Sequence, residues 1–138
     1  MARDIFHDIV KNALEKEGWK ITHDPLRLSA LNEAKLEADL GSTKMFGAEL
    51  GAKHIAVEVK GFRRPSLIYE FHAAYGQYLI YEDAIERRGL VWEMYLAIPE
   101  VAFRFLEKQE HVLYSIRKRN VRFILFDENL ELIKLWIK

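Results

Sequence analysis

Residues 54–60 alternate strictly. Ile55, Val57 and Val59 share one side; His54, Ala56, Glu58 and Lys60 share the other. A period of two is the signature of a β-strand with two distinct faces. Gly61 and Pro65 close the segment, and Ser66 is placed to cap a helix over 66–88 with Ile68, Phe71, Tyr75, Tyr78 and Leu79 inward. Gly89 stops it, and an apolar strand over 92–98 follows, ending at Pro99. A strand, a long amphipathic helix and another strand in succession demand layers of both kinds.

The flanking sequence extends the pattern. Ile5, Ile9 and Ala13, with Phe6, Val10 and Leu14 beside them, give a helix over 4–17, capped by Asp4 and stopped by Gly18. Residues 19–23 and 35–40 read as strands, the latter with Leu36, Ala38 and Leu40 on one side and Glu37 and Asp39 on the other. Residues 41–53 stay ambiguous, with Gly41, Gly47 and Gly51 marking turns. Residues 100–119 read as helix with a break near Gln109, and strands over 121–126 and 131–137 flank a turn at Asp127-Glu128-Asn129. The order α, β, β, β, α, β, α, β, β predicts an α/β sandwich with a central mixed sheet flanked by helices.

All 138 residues are expected to form a single domain. Half of them are hydrophobic, enough for a sizeable core. Lys plus Arg and Asp plus Glu both number 21, which excludes a strongly basic coat for non-specific nucleic-acid binding but not a local basic surface. The absence of cysteine rules out disulfides, cysteine zinc sites and a thiol nucleophile. No apolar run approaches the ~18–20 residues of a membrane span. MARDIFHDIV has no signal-peptide core, so a soluble, cytoplasmic protein is expected.

Chemistry concentrates in Asp39, Glu58, Lys60, Gln77 and Tyr81. If 35–40 and 54–60 pair as neighbouring strands, their polar faces coincide and Asp39, Glu58 and Lys60 form one patch. Two carboxylates brought together repel unless a cation joins them. A hard divalent ion with oxygen ligands, Mg²⁺ or Mn²⁺, fits, and the Val59 carbonyl adds a third oxygen. Such an ion activates water, and Lys60 beside it offsets charge on a phosphoryl group. Gln77 and Tyr81, four apart, share one flank of the long helix beside its apolar stripe. Arg63 and Arg64 directly follow the Glu58–Lys60 segment and are the best placed phosphate contacts. Glu37 and Asp8 read as solvated neighbours, and His54 as a residue able to border the site. His23-Asp24 reads as a turn-stabilising pair. Tyr69, Tyr75 and Tyr78 read as core or interface aromatics.

A strand-borne Asp, Glu-x-Lys on the next strand and Gln-x-x-x-Tyr on a helix resemble the PD-(D/E)xK nuclease superfamily and its RecB-like branch, although Ala38 stands where proline often precedes the acid. The resemblance implies a restriction-endonuclease-like fold, with Asp39 and Glu58 on Mg²⁺ or Mn²⁺ and Lys60 assisting the water. A wider match runs through DIFHDIVKNALEKEGWKITHDPL, KLEADLG, IAVEVKGF, GQYLIY, YLAIPE and FILFDENLELIKLWI. These blocks, in this order, resemble the XisH family, the fdxN-element excision controlling factors of cyanobacteria. There the usual Lys-Ser-Phe is Lys60-Gly61-Phe62 in this chain. The resemblance implies a role in DNA rearrangement during heterocyst differentiation, with DNA, a companion controlling factor (XisI) and a separate site-specific recombinase as partners. A homo-oligomer is compatible with this reading. The alternative is a non-cleaving DNA-binding or partner-assembly module on a nuclease-like fold.

Overall fold

The computed structural model of the chain describes residues 5–27, 45–62 and 67–138. Asp4, Ser66, Arg63, Arg64, Glu37 and Asp39 lie outside these residues, as does the whole segment 35–40. The first helix, α1 (Ile5–Lys16), buries Phe6, Ile9, Val10, Ala13 and Leu14, the stripe its sequence spacing requires. Gly18 takes φ +96°, which lets the Gly18 N–H donate to the Glu15 carbonyl and the Trp19 N–H to the Leu14 carbonyl, both at 3.0 Å. This left-handed cap satisfies carbonyls that the helix end would otherwise orphan. The long helix α2 (Leu67–Arg87) ends the same way at Gly89.

Among the described residues six strands form one mixed sheet: β1 (Lys20–His23), β2 (Met45–Leu50), β3 (Lys53–Val59), β4 (Glu93–Pro99), β5 (Phe123–Asp127) and β6 (Leu132–Ile137). Their order across the sheet is their order along the chain. The pairs β3–β4 and β4–β5 are parallel; the other three are antiparallel. α2 makes the first parallel crossover. Two shorter helices, α3 (Glu100–Leu106) and α4 (Glu110–Lys118), make the second, with Gln109 at the break expected from sequence. α1 covers one face of the sheet over Phe46, Ile55, Val57, Val59 and Ile124. α2, α3 and α4 cover the other over Met45, Ala56, Leu96, Phe123 and Leu125. The result is an α/β sandwich, as the pattern of elements predicts.

Two differences from the sequence reading matter for the site. The ambiguous stretch 41–53 contains β2, which runs into β3 through a tight turn with Gly51 at φ +61°. Gly47 lies inside this strand rather than at a turn. A Cβ there would stand 2.9 Å from the Trp92 ring, so the glycine makes room for the indole. The second difference follows from the first. β3 has β2 on one edge and β4 on the other, and the 35–40 segment expected as its neighbour lies outside the described residues.

Side chains then tie the layers together. The Tyr78 hydroxyl on α2 accepts a hydrogen bond from the Arg122 N–H at 3.0 Å. It lies 3.3 Å from both the Met94 carbonyl and the Glu82 carboxylate, which share its single proton. Burial pushes this phenol up to about 12, so it stays a neutral donor. Tyr75 reaches across to Ser115 Oγ at 2.8 Å and binds α2 to α4, whereas Tyr69 is exposed. At the β5–β6 turn, Asp127 Oδ1 accepts from the Asn129 and Leu130 N–H groups at 2.8 and 2.9 Å, the turn its sequence predicts. Asp24 does not pair with His23. It accepts from Lys11 and meets His7 at 3.0 Å, fastening the segment after β1 to α1, while His23 turns to Thr22 and the edge of Trp92.

Two outcomes are expected. Tyr78→Phe leaves the Arg122 N–H without its acceptor and lowers unfolding free energy by about 1–3 kcal/mol in denaturant melts. Burial alone would raise the Asp24 carboxyl, but the hydrogen bonds from Lys11 and His7 outweigh it and hold the group below its usual range. A depressed folded-state value gives stability that is present above the unfolded value and lost as pH falls through the folded one. The Tm gap between wild type and Asp24→Asn is therefore open at about pH 6 and closes as pH falls below about 4.

Candidate active site at the carboxyl end of β3

Glu58 is fully buried, and among the described residues it is the one charged side chain in the core. Its position explains why. β3 is a central strand, and the alternation read from sequence is correct residue by residue. The side bearing Ala56 and Glu58 faces α2, not solvent. Glu58 sits between Met45 of β2 and Leu96 of β4 in register. An isolated ionised carboxylate in such surroundings costs several kcal/mol even after relaxation. Lys60 answers that cost in part: its Nζ stands 3.5 Å from Glu58 Oε2 and remains one-quarter exposed. The Lys60 N–H donates to the Ala97 carbonyl at 2.9 Å, so the ladder with β4 continues one residue past β3 and fixes the backbone from which the lysine springs.

The carboxyl end of a parallel strand is where open α/β sheets place their ligand crevices. Here the chain leaves β3 as Lys60-Gly61-Phe62. A Cβ on Gly61 would lie 2.1 Å from the Phe6 ring, so only glycine permits this approach of α1. The sequence reading treated Gly61 only as a strand end. Its packing role could have been suspected only from a glycine falling directly after the lysine. On the α1 side of the sheet lies a cleft of about 320 Å³ between α1 and the start of α3, lined by Phe6, Ile9, Phe62 and Val101 and edged by Glu128; neither Glu58 nor Lys60 lines it.

Glu58 and Lys60 meet at 3.5 Å with the Val59 backbone between them. Tyr81 does not lie on a flank beside the apolar stripe. It is 3% exposed and belongs to the stripe itself with Phe71, Ala74, Tyr78 and Ile85, in the cluster that holds Met45, Ala56 and Leu96 around Glu58. Gln77, one turn earlier, is exposed. His54 faces the same side as Glu58 but lies at the far end of β3, about 13 Å along the strand. It stacks on Trp92 at 5.3 Å and does not border the site. Asp8 is half-buried on α1, 3.8 Å from Lys11.

For a hard divalent cation the donor chemistry present is right: a carboxylate oxygen from Glu58 and a peptide carbonyl beside it. Among the described residues no three His, Asp or Glu side chains gather into a metal-holding group. The second acid expected from sequence, Asp39, lies outside those residues.

The family model for XisH protein matches residues 1–134. Two crystal structures are similar over nearly the entire chain. One, an XisH family protein from Nostoc punctiforme PCC 73102, is 38% identical with a TM-score of 0.84, covering 98% of this chain and 100% of its own. The other, an fdxN element excision controlling factor protein from Anabaena variabilis, is 36% identical with a TM-score of 0.85, covering 99% and 100%. Among curated proteins none matches. No helix among the described residues is long and apolar enough to cross a membrane.

The buried charge yields an expected outcome. Glu58→Gln removes the ionic burden while keeping shape, so its thermal unfolding midpoint equals or exceeds that of the wild type. A drop of more than about 2 kcal/mol in stability would identify the Glu58–Lys60 pair as structural cement instead.

Proposed function

The chain belongs to the XisH family, and from that membership we propose that it acts in excision of a DNA element of the fdxN type as a metal-dependent endonuclease-like factor. The observation that carries this reading is Glu58: a carboxylate kept wholly buried at a strand's carboxyl end, 3.5 Å from a lysine. Packing gains nothing from such a group, and burial together with a specific charged partner is how functional acids are set apart.

In this reading Asp39, Glu58 and the Val59 carbonyl hold Mg²⁺ or Mn²⁺. The ion supplies an acidified water and neutralises charge on a phosphodiester. Lys60 keeps its ammonium at the site and stabilises the negative charge that builds on the phosphoryl oxygens. Its partial exposure lets it reach a substrate that Glu58 cannot touch. Gln77, exposed on α2, contacts the DNA backbone; Tyr81, buried beneath it, positions the helix. Arg63 and Arg64 bind phosphates and set register without reading sequence. A companion controlling factor, XisI, and a site-specific recombinase complete the set of partners.

A second reading has its own support. The Glu58 charge is already matched by Lys60, and the chain's net charge is zero. Both suit a module that assembles DNA and a recombinase without cutting.

Mn²⁺ calorimetry and plasmid cleavage separate the two. The endonuclease reading expects Mn²⁺ binding by wild type, lost in Asp39→Ala and Glu58→Ala. It expects cleavage that EDTA stops and that Lys60→Ala lowers by about 10²-fold or more. Equal cutting by wild type and Lys60→Ala exposes a contaminant. Mn²⁺ heats that are the same in all three proteins, with no cleavage, leave the assembly module as the function.

A further inference from the structure

On the face opposite Glu58, and at the opposite end of the strands, a cavity of about 290 Å³ opens at the amino ends of β3 and β4. Its walls are aromatic. The Trp19 and Trp136 rings stack at 5.7 Å and 26°, and Tyr95 meets Trp136 edge-on at 5.2 Å and 88°. Two carboxylates line the same space. Glu17 Oε1 accepts from the Trp136 indole N–H at 3.2 Å, and Glu93 Oε1 from the Tyr95 hydroxyl at 3.1 Å.

Both carboxylates are held by neutral donors. Lys53 and Lys138 also line the cavity, but among the described residues neither carboxylate lies within ion-pair distance of a basic group, so neutral donors set the orientation of both. Burial, followed by the nearby Glu93 charge, pushes the Tyr95 phenol well above its ordinary value, so it remains the neutral donor. Aromatic faces and carboxylates that form no ion pair both favour a cation, and a soft organic one gains most from ring faces. Such a contact is already made at this cavity: the Lys138 ammonium lies 5.9 Å over the Trp136 ring.

We propose that the cavity framed by Trp19, Tyr95 and Trp136, with Glu17 and Glu93 as counter-charges, is a binding site for an organic ammonium group. Lys138 stands in for that group and is displaced when the ligand enters. Neither the metal chemistry nor the family role requires this site, and none of its residues belongs to the proposed active site.

The test is NMR of the indole N–H groups of the intact protein. Trp19 and Trp136 line the cavity, and Trp92, on the other face, is the internal reference. Titration with tetramethylammonium chloride, at ionic strength balanced with sodium chloride, is expected to give saturable shifts of Trp19 and Trp136 and none of Trp92. The neutral isostere 3,3-dimethylbutan-1-ol is expected to give weaker shifts. Glu93→Gln keeps the acceptor for Tyr95 but removes the charge, and weakens binding about fivefold. Lys138→Met tightens it. Choline and a trimethyllysine peptide, titrated in parallel, separate a free small cation from a side chain on a protein partner by which binds more tightly. Non-saturating shifts, an equal response to the neutral isostere, or unchanged affinity in Glu93→Gln would overturn the proposal.

Discussion

The structure turns on one uncomfortable carboxylate. Glu58 occupies a position in the central strand that packing would give to Leu or Val, hemmed by Met45 and Leu96 and roofed by α2. Burial of an ionised acid is opposed by several kcal/mol of lost hydration, and the partly exposed Lys60, 3.5 Å away, recovers part of it. The remaining architecture reads as support for that placement. The ladder past β3 fixes Lys60, Gly61 lets Phe6 close against the exit from the strand, and the Tyr78 network pins the helix overhead.

Much of this was legible in the sequence, for identifiable reasons. α1 and α2 announce themselves because each buries one stripe, and their glycine stops are stereochemical necessities. The break at Gln109 and the Asp127 turn were likewise visible as local chemistry. β2 was not, because two signals failed together. Met45, Phe46, Gly47 and Ala48 are all buried, so nothing alternates, and Gly47 mimics a turn although Trp92, far along the chain, is what requires it. The same long-range cause hid the character of the Glu58 face. Alternation told which residues share a side, but not that the side bearing the acid would lie under a helix.

The candidate site was legible in a different way. Glu-x-Lys stood out by residue type, and the strand period placed both side chains on one face, where they meet. Gln77 and Tyr81 were correctly put on one helix but divided wrongly, since spacing cannot locate the edge of a buried stripe to within one residue. Tyr81 falls inside that edge and Gln77 outside. The Trp19–Trp136 stack joins residues from the two ends of the chain, and no local pattern foretells it.

Strand order equal to chain order carries a consequence for how the protein is made. Among the described residues each strand finds its neighbour in the one just before it, and none of these strands must be inserted between two already in place. The entropy of closing each connection grows only slowly with its length, and such stepwise closures keep the search short. A growing polypeptide can lay down these strands edge to edge as it leaves the ribosome, each new strand pairing with the exposed edge of the one before it.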